Sequence, residues 1–477
     1  MEMNGIGVIE LRDEILNGEI TSVQATEYYL DRIRRYKYKN AVLEVFDDAI
    51  DRARAIDEEI SAGAVLPLGG IPILIKDNIM YKGKICSNAS KSLEHYKAQY
   101  NATVIDKLLS MGCFILGRTN MDEFAMGGSC ENSAFGPCKN AHDNSRVSGG
   151  SSGGSAVAVA LEMCAFALGS DTGGSVRQPA SYNGVVGIKP TFGRVSRFGL
   201  TAYAGSLDTI GIFTRNVKDN AYIMSLIAGR DIHDPKTSEK HVPDYLSRIT
   251  GNIKGKKIAV VKEVQELVSK TDYAGVYQDA IDYCQKNGAI VTKTSIPDYK
   301  SILPAYYTIA FAEGSSNLAR IDGVKYGDRL GNKTVSEVYI KTRSKLLGRE
   351  VKRRIMLGNF VLSSEHYNSY YVKAKEIAEK VRAQFKQIFK DNDVIFMPTT
   401  YGEAFELGVK TADPLSMYIE DMFTVTANIV GVPSISVPIG KGKNNLPIGL
   451  QILGNHFEEE EVYNMADFVS QRGDWNE

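Results

Sequence analysis

The chain has 477 residues, 43% of them hydrophobic and 24% charged, with 56 lysines and arginines against 57 aspartates and glutamates. That length supports a large core, and a formal net charge of −1 excludes recognition of nucleic acid by bulk charge, which needs a basic stripe or face. Six cysteines without a C-x-x-C pair and six histidines without ligand spacing or a catalytic pattern exclude a recognisable zinc site and leave any hydrolase chemistry to find another base.

The acidic start MEMNGIGVIELRDEI lacks the basic opening of a signal peptide. Thr21, followed three residues on by Gln24, predicts a capping box ahead of a helix to about Arg35. Phe46, Ile50, Ala53, Ile56 and Ile60 recur at helical spacing, so residues 1–62 read as a helical hairpin. Ile71, Ile73 and Ile75 predict a short buried strand ending at Lys76, followed by a helix around 102–111 and a strand at 113–116. The longest apolar run, 156–168, is broken by Glu162 and too short for a bilayer; with the reduced cysteines it points to a cytoplasmic protein without membrane contact.

Further strands are expected at 258–261, 289–291, 393–397 and 434–437, the last limited by Pro433 and Pro438. The polar stretch 232–256 reads as a surface excursion, and the VKRRI run at 351–355 as a solvated helix face. Alternating helices and apolar strands predict an α/β domain over 1–477, with a mixed central sheet and helices on both faces. In that single domain, 63–215 is the core carrying the chemistry and 216–477 the remainder of the sheet.

The chemistry centres on two Gly/Ser segments, GGSSGGS at 149–155 and DTGGS at 171–175. Consecutive unobstructed N–H groups at the start of a helix suit an oxyanion, and Ser175 stands there either as a nucleophile or as a helix cap. Lys76, at the end of an apolar strand, is either a buried base of lowered pKa or a lysine paired with Asp77 or Asp171. Ser155 is a natural N-cap for the apolar helix that follows it. No G-K-[ST] follows the glycines, so a phosphate-binding loop is disfavoured.

Lys76, the 149–155 loop and DTGGSVRQPA, with Ser151 and Lys76 lying 24 and 99 residues before Ser175 and GIKPT at 187–191, resemble the amidase signature family. The resemblance implies the amidase signature fold and a Ser–cis-Ser–Lys triad: Ser175 the nucleophile, Ser151 the bridging serine after a cis peptide bond at Gly150, and Lys76 the base. It further implies an oxyanion hole of backbone N–H groups from Thr172, Gly173, Gly174 and Ser175. Asp171 and Arg177 are expected to order this loop as an ion pair.

Segments 126–137, 193–211, 315–327, 350–358, 418–438 and 446–454 resemble, within that family, the glutaminase A subunits of tRNA-dependent amidotransferases, so that the likeness covers essentially the whole chain. Such a protein hydrolyses glutamine and sends ammonia through a tunnel to a B subunit. The B subunit binds tRNA and uses ATP with Mg to amidate Glu-tRNA(Gln), in some complexes also Asp-tRNA(Asn), and a C subunit completes the assembly. The resemblance therefore implies no cofactor and no metal in this chain, and tRNA contact mainly through the B subunit. It places Arg354 on the α-carboxylate of glutamine, Asp421 on its α-ammonium and Tyr306 in the pocket wall, with Arg353 and Tyr307 as adjacent candidates. Cys130 and Cys138 depart from the small polar residues expected at their positions.

Overall fold

The computed structural model describes residues 3–472. Eleven strands form one mixed sheet: β1 (Val42–Val45), β2 (Pro72–Lys76), β3 (Phe114–Thr119), β4 (Ala167–Asp171), β5 (Val186–Lys189), β6 (Thr209–Thr214), β7 (Lys257–Val261), β8 (Ile290–Thr294), β9 (Val394–Pro398), β10 (Ser434–Lys441) and β11 (Pro447–Gly454). Their order is β1-β3-β2-β4-β6-β5-β10-β11-β9-β7-β8. The fold is the expected α/β arrangement.

The capping box is present: Gln24 N donates to Thr21 Oγ1 (3.1 Å) and Thr21 N to Gln24 Oε1 (2.8 Å). The hairpin needs correction. A helix at Val8–Leu16 precedes Ser22–Arg35, and β1 separates that helix from Ala49–Ser61. Four residues are too few to show a period. β1 is held by its antiparallel pairing with β3.

At the centre, β2 runs parallel to β3 and to β4, with Leu74 opposite Ala167 and Ile75 opposite Leu168. All residues of β2 and β4 are buried. Parallel neighbours end at the same edge, so Lys76 and Asp171 emerge side by side at the carboxyl ends of their strands, where open α/β sheets hold their ligands. The halves of the sheet join where β5 pairs with β10, Ser434 opposite Lys189.

β10 continues through Pro438 to Lys441, longer than the prolines suggest. Pairing with β5 stops at Ser436, so Pro438 has only β11 beside it, and the register shifts between Pro438 and Gly440. A residue without N–H is tolerated where one side of the strand is unpaired. The 232–256 stretch holds no helix or strand, yet it is tied down: Arg194 donates to the carbonyls of Lys240 and His241, both at 3.0 Å, and Tyr245 is fully buried. All six cysteines are free and buried. Among the described residues no helix is long and apolar enough to cross a membrane.

Candidate active site

Lys76 is fully buried, and its Nζ hydrogen-bonds Ser151 Oγ (2.7 Å), Ser152 Oγ (2.8 Å) and Ser170 Oγ (2.9 Å). Among the described residues no carboxylate pairs with it: Asp77 takes Arg118 (2.9 Å) and Asp171 takes Arg177 (2.9 Å). Burial lowers the Lys76 ammonium to about 7, opposed chiefly by the negative charge of Asp122. The environment therefore favours the neutral amine of Lys76 and removes the ion-paired alternative.

Ser151 follows a cis peptide bond at Gly150. Gln178 Oε1 accepts from Gly150 N (2.9 Å), and Ser151 O accepts from Asp122 N (3.2 Å). The apolar helix is Gly153–Ala160, so Ser155 lies inside it; its hydroxyl meets Thr119 Oγ1 (2.7 Å) and Leu168 O (3.0 Å) instead of capping. Ser175 is 8% exposed, and its carbonyl accepts from Ser152 N (3.1 Å). Its hydroxyl makes no hydrogen bond among the described residues. The lysine-to-bridging-serine link is thus formed, and the Ser175 hydroxyl is unengaged.

The oxyanion set narrows. Gly174 N donates to Asp171 Oδ1 (2.9 Å), which withdraws it, while the N–H groups of Thr172, Gly173 and Ser175 have no acceptor among the described residues. The helix begins only at Arg177; the glycine pair is the turn before it. Side chains cannot be added here: a Cβ on Gly173 would lie 2.2 Å from Tyr306 Oη, and Gly174 has φ of +132°.

Asp171 shapes this turn. Burial works to raise its carboxyl, but Arg177, bonded to both oxygens (3.0 and 2.9 Å), with Asn428 (2.9 Å), holds it well below the usual range. Arg177 also donates to Thr424 O (2.8 Å), to Asn428 Oδ1 (2.7 Å) and to Gln451. It therefore ties the 172–175 turn to residues 424–451.

Tyr306, Arg354 and Asp421 converge on one side of this loop. Tyr306 covers Gly173, while Tyr307 donates to Asp421 Oδ2 (2.6 Å). Burial raises the Asp421 carboxyl to about 7, against the hydrogen bond from Tyr307. Arg354 is 4% exposed, which overturns the solvated-face reading of 351–355: helix Arg349–Leu362 turns Val351, Arg354, Ile355 and Gly358 inward. The guanidinium donates to Glu350 Oε1 (2.8 Å) and Tyr203 Oη (3.0 Å) and lies over the rings of Tyr418 (5.4 Å) and Tyr307 (5.7 Å). Its Nη2 makes no hydrogen bond among the described residues. Arg353 lines the same cleft and pairs with the other oxygen of Glu350.

Sequence reasoning missed Ser152 and Ser170 on Lys76, Glu350 under Arg354, and two buried polar groups without partners, Ser129 Oγ and Gln178 Nε2. Ser129 lines the cleft beside Arg354 and Tyr418. Gln178 Nε2 and Asp421 Oδ1 both face the open side of Gly128. Orphaned buried polar atoms in a cleft mark a place for a water or a ligand. Cys130 and Cys138 are fully buried, and burial pushes the Cys130 thiol well up. Among the described residues no cluster suits a metal ion.

A buried lysine on a serine after a cis bond, beside a second serine in a glycine turn, has the parts that a serine amidohydrolase needs. The sequence model described as Amidase matches residues 24–463, and the chain belongs to the amidase family. It is 47% identical to the A subunit of the glutamyl-tRNA(Gln) amidotransferase from Thermoanaerobacter pseudethanolicus, covering 100% of this chain and 98% of the relative. To the corresponding protein of Lacticaseibacillus paracasei it is 45% identical, over 98% and 96%. The crystal structure of its counterpart from Thermotoga maritima superimposes with a TM-score of 0.82 at 36% identity, over 100% and 97% of the two chains. The peptide amidase of Stenotrophomonas maltophilia gives 0.84 at 29%, over 98% and 97%.

Proposed function

We propose that this chain is the glutaminase subunit of a tRNA-dependent amidotransferase, acting in the cytoplasm with B and C subunits. It hydrolyses glutamine, and the ammonia serves amidation of Glu-tRNA(Gln) on the B subunit, which supplies the ATP, Mg and tRNA sites. The observation that carries the substrate assignment is Arg354 and Asp421 both against Tyr307, with Asp421 Oδ1 facing Gly128 beside Gln178, which accepts from Gly150 N in the serine loop. Opposite charges, both buried, match the carboxylate and ammonium of an amino acid. Full-length similarity to proteins of that name supports the reaction.

In the proposed mechanism neutral Lys76 takes the Ser151 proton while Ser151 takes that of Ser175, and Ser175 Oγ attacks the side-chain amide carbon. The oxyanion is received by N–H groups of the 172–175 turn. Collapse breaks the C–N bond as the proton returns through Ser151 to nitrogen, releasing ammonia; water then attacks the acyl ester by the same relay and glutamate leaves.

The reading is tested by measuring ammonia release from glutamine, asparagine and simple amides, with and without co-purified partners. Ser175→Ala is expected to abolish glutamine-dependent amidation by the complex and to leave amidation from added ammonium intact. Equal loss with both nitrogen sources would overturn the division of labour.

A further inference from the structure

Asp122 and Glu123 are consecutive, both buried, and bonded in opposite directions. Asp122 faces the catalytic loop: its N–H donates to Ser151 O, and its carboxylate accepts from Cys130 N (2.9 Å) and Asn132 N (3.1 Å). A Cβ on Gly150 would lie 2.0 Å from Asp122 Oδ2, so that carboxylate packs directly against the cis-bonded glycine.

Glu123 faces the other way. Oε1 accepts from Ser90 Oγ (2.5 Å) and Oε2 from Gly348 N (2.8 Å). Gly348 is the N-cap of helix Arg349–Leu362 and has no side chain to cap it. A carboxylate at a helix N-terminus satisfies an orphan N–H and meets the positive end of the dipole. The fit is close, since a Cβ on Gly348 would lie 2.1 Å from Glu123 Oε2. Two residues into that helix stands Glu350, which holds Arg354. The turn itself is tense: Phe124 and Ala125 are both left-handed, at φ 52° and 59°, a conformation disfavoured for residues with a Cβ.

We propose that Glu123 is a positioning residue for substrate binding: by capping the Arg349–Leu362 helix from outside, it sets where Glu350 and Arg354 stand relative to the Ser151 loop held by Asp122. The consequence for glutamine rests on the glutaminase reading; the capping does not. Glu123→Ala leaves Gly348 N–H unsatisfied, and Gly348→Ala forces the carboxylate away. In Glu123→Gln the side-chain carbonyl still accepts from Gly348, and Ser90 can turn its hydroxyl to Ser92, 2.8 Å away.

The experiment uses the full chain with its co-purified partners and has two readouts. Hydrogen exchange over residues 345–362 is expected to quicken at least tenfold in the first turn of the helix in Glu123→Ala and Gly348→Ala, and to recover in Glu123→Gln. The ratio of kcat/KM for glutamine to that for a small neutral amide is expected to fall at least tenfold in the same two variants, mainly through KM, and to recover in Glu123→Gln. In an Arg354→Ala background Glu123→Ala should lower the ratio no further. Unchanged exchange, a parallel loss with both substrates, or a further fall without Arg354 would overturn the proposal. A wild-type enzyme that does not hydrolyse glutamine would instead overturn the functional reading, and exchange would still decide the role of Glu123.

Discussion

Lys76 and Asp421 are both placed by burial at about 7, and their useful states lie on the same side of that value. In the proposed mechanism Lys76 acts when it has lost its proton, and Asp421 holds the substrate's ammonium only when ionised. As pH falls through 7 the free enzyme therefore loses base and anchor together. For glutamine, the logarithm of kcat/KM is expected to climb below pH 7 with a limiting slope of two, and for a neutral amide without α substituents with a slope of one. Asp421→Asn should bring glutamine to a slope of one at a lower plateau. Equal slopes for both substrates in the wild type would remove Asp421 from recognition. Lys76→Ala and Ser151→Ala should each depress acylation severely, and the double variant should be little worse than either, because the proposed mechanism makes the two groups one relay. Additive losses would mean that Ser175 has another base.

Among the elements, the glycine turn between β4 and Arg177 is the least tolerant. Gly173→Ala would push against Tyr306 and shift the turn; a displacement near 1 Å lowers rate by about 100-fold. That loss is expected for glutamine and neutral amide alike, because the turn serves both; kinetics on the two substrates distinguish it from the selective loss expected of Arg354→Ala.

At this scale much was legible in the sequence. The strand ending at Lys76, the Thr21 capping box and the later strands follow from local period and turn chemistry. The inward turn of Arg354 was hidden from the local pattern and suggested only by the family resemblance, because VKRRI looks solvated until Tyr203, Tyr307 and Tyr418 arrive from other parts of the chain. The withdrawal of Gly174 N–H by Asp171 was hidden for a related reason, since it depends on where a carboxylate points. Ser152 and Ser170 escaped notice because no spacing distinguishes a serine that supports a lysine from one that fills a loop.

For the molecule as a whole, the fully buried Asp171–Arg177 pair joins the central strands to Thr424, Asn428 and Gln451. Breaking a buried pair by removing one partner leaves a charge uncompensated and destabilises by about 3–5 kcal/mol. Arg177→Met is expected to lower stability to denaturant by that amount near neutral pH. The Asp171 carboxyl lies below its unfolded value, so the pair's contribution is present above the ordinary carboxylate range and is lost as pH falls below it. The deficit of Arg177→Met should accordingly shrink in acid; a deficit independent of pH would assign it to packing.

The same arginine sets a schedule for synthesis. Chains leave the ribosome from their N-terminus, and early parts fold first where their contacts allow. Lys76, Ser151, Asp171 and Ser175 all precede Arg177, but Thr424 O and the side chains of Asn428 and Gln451, which complete the seat that Asp171 begins, follow only at 424–451. The 172–175 turn accordingly matures only after Gln451 has emerged, and a polypeptide stopped short of it carries the residues of the proposed relay without the contacts that set their turn.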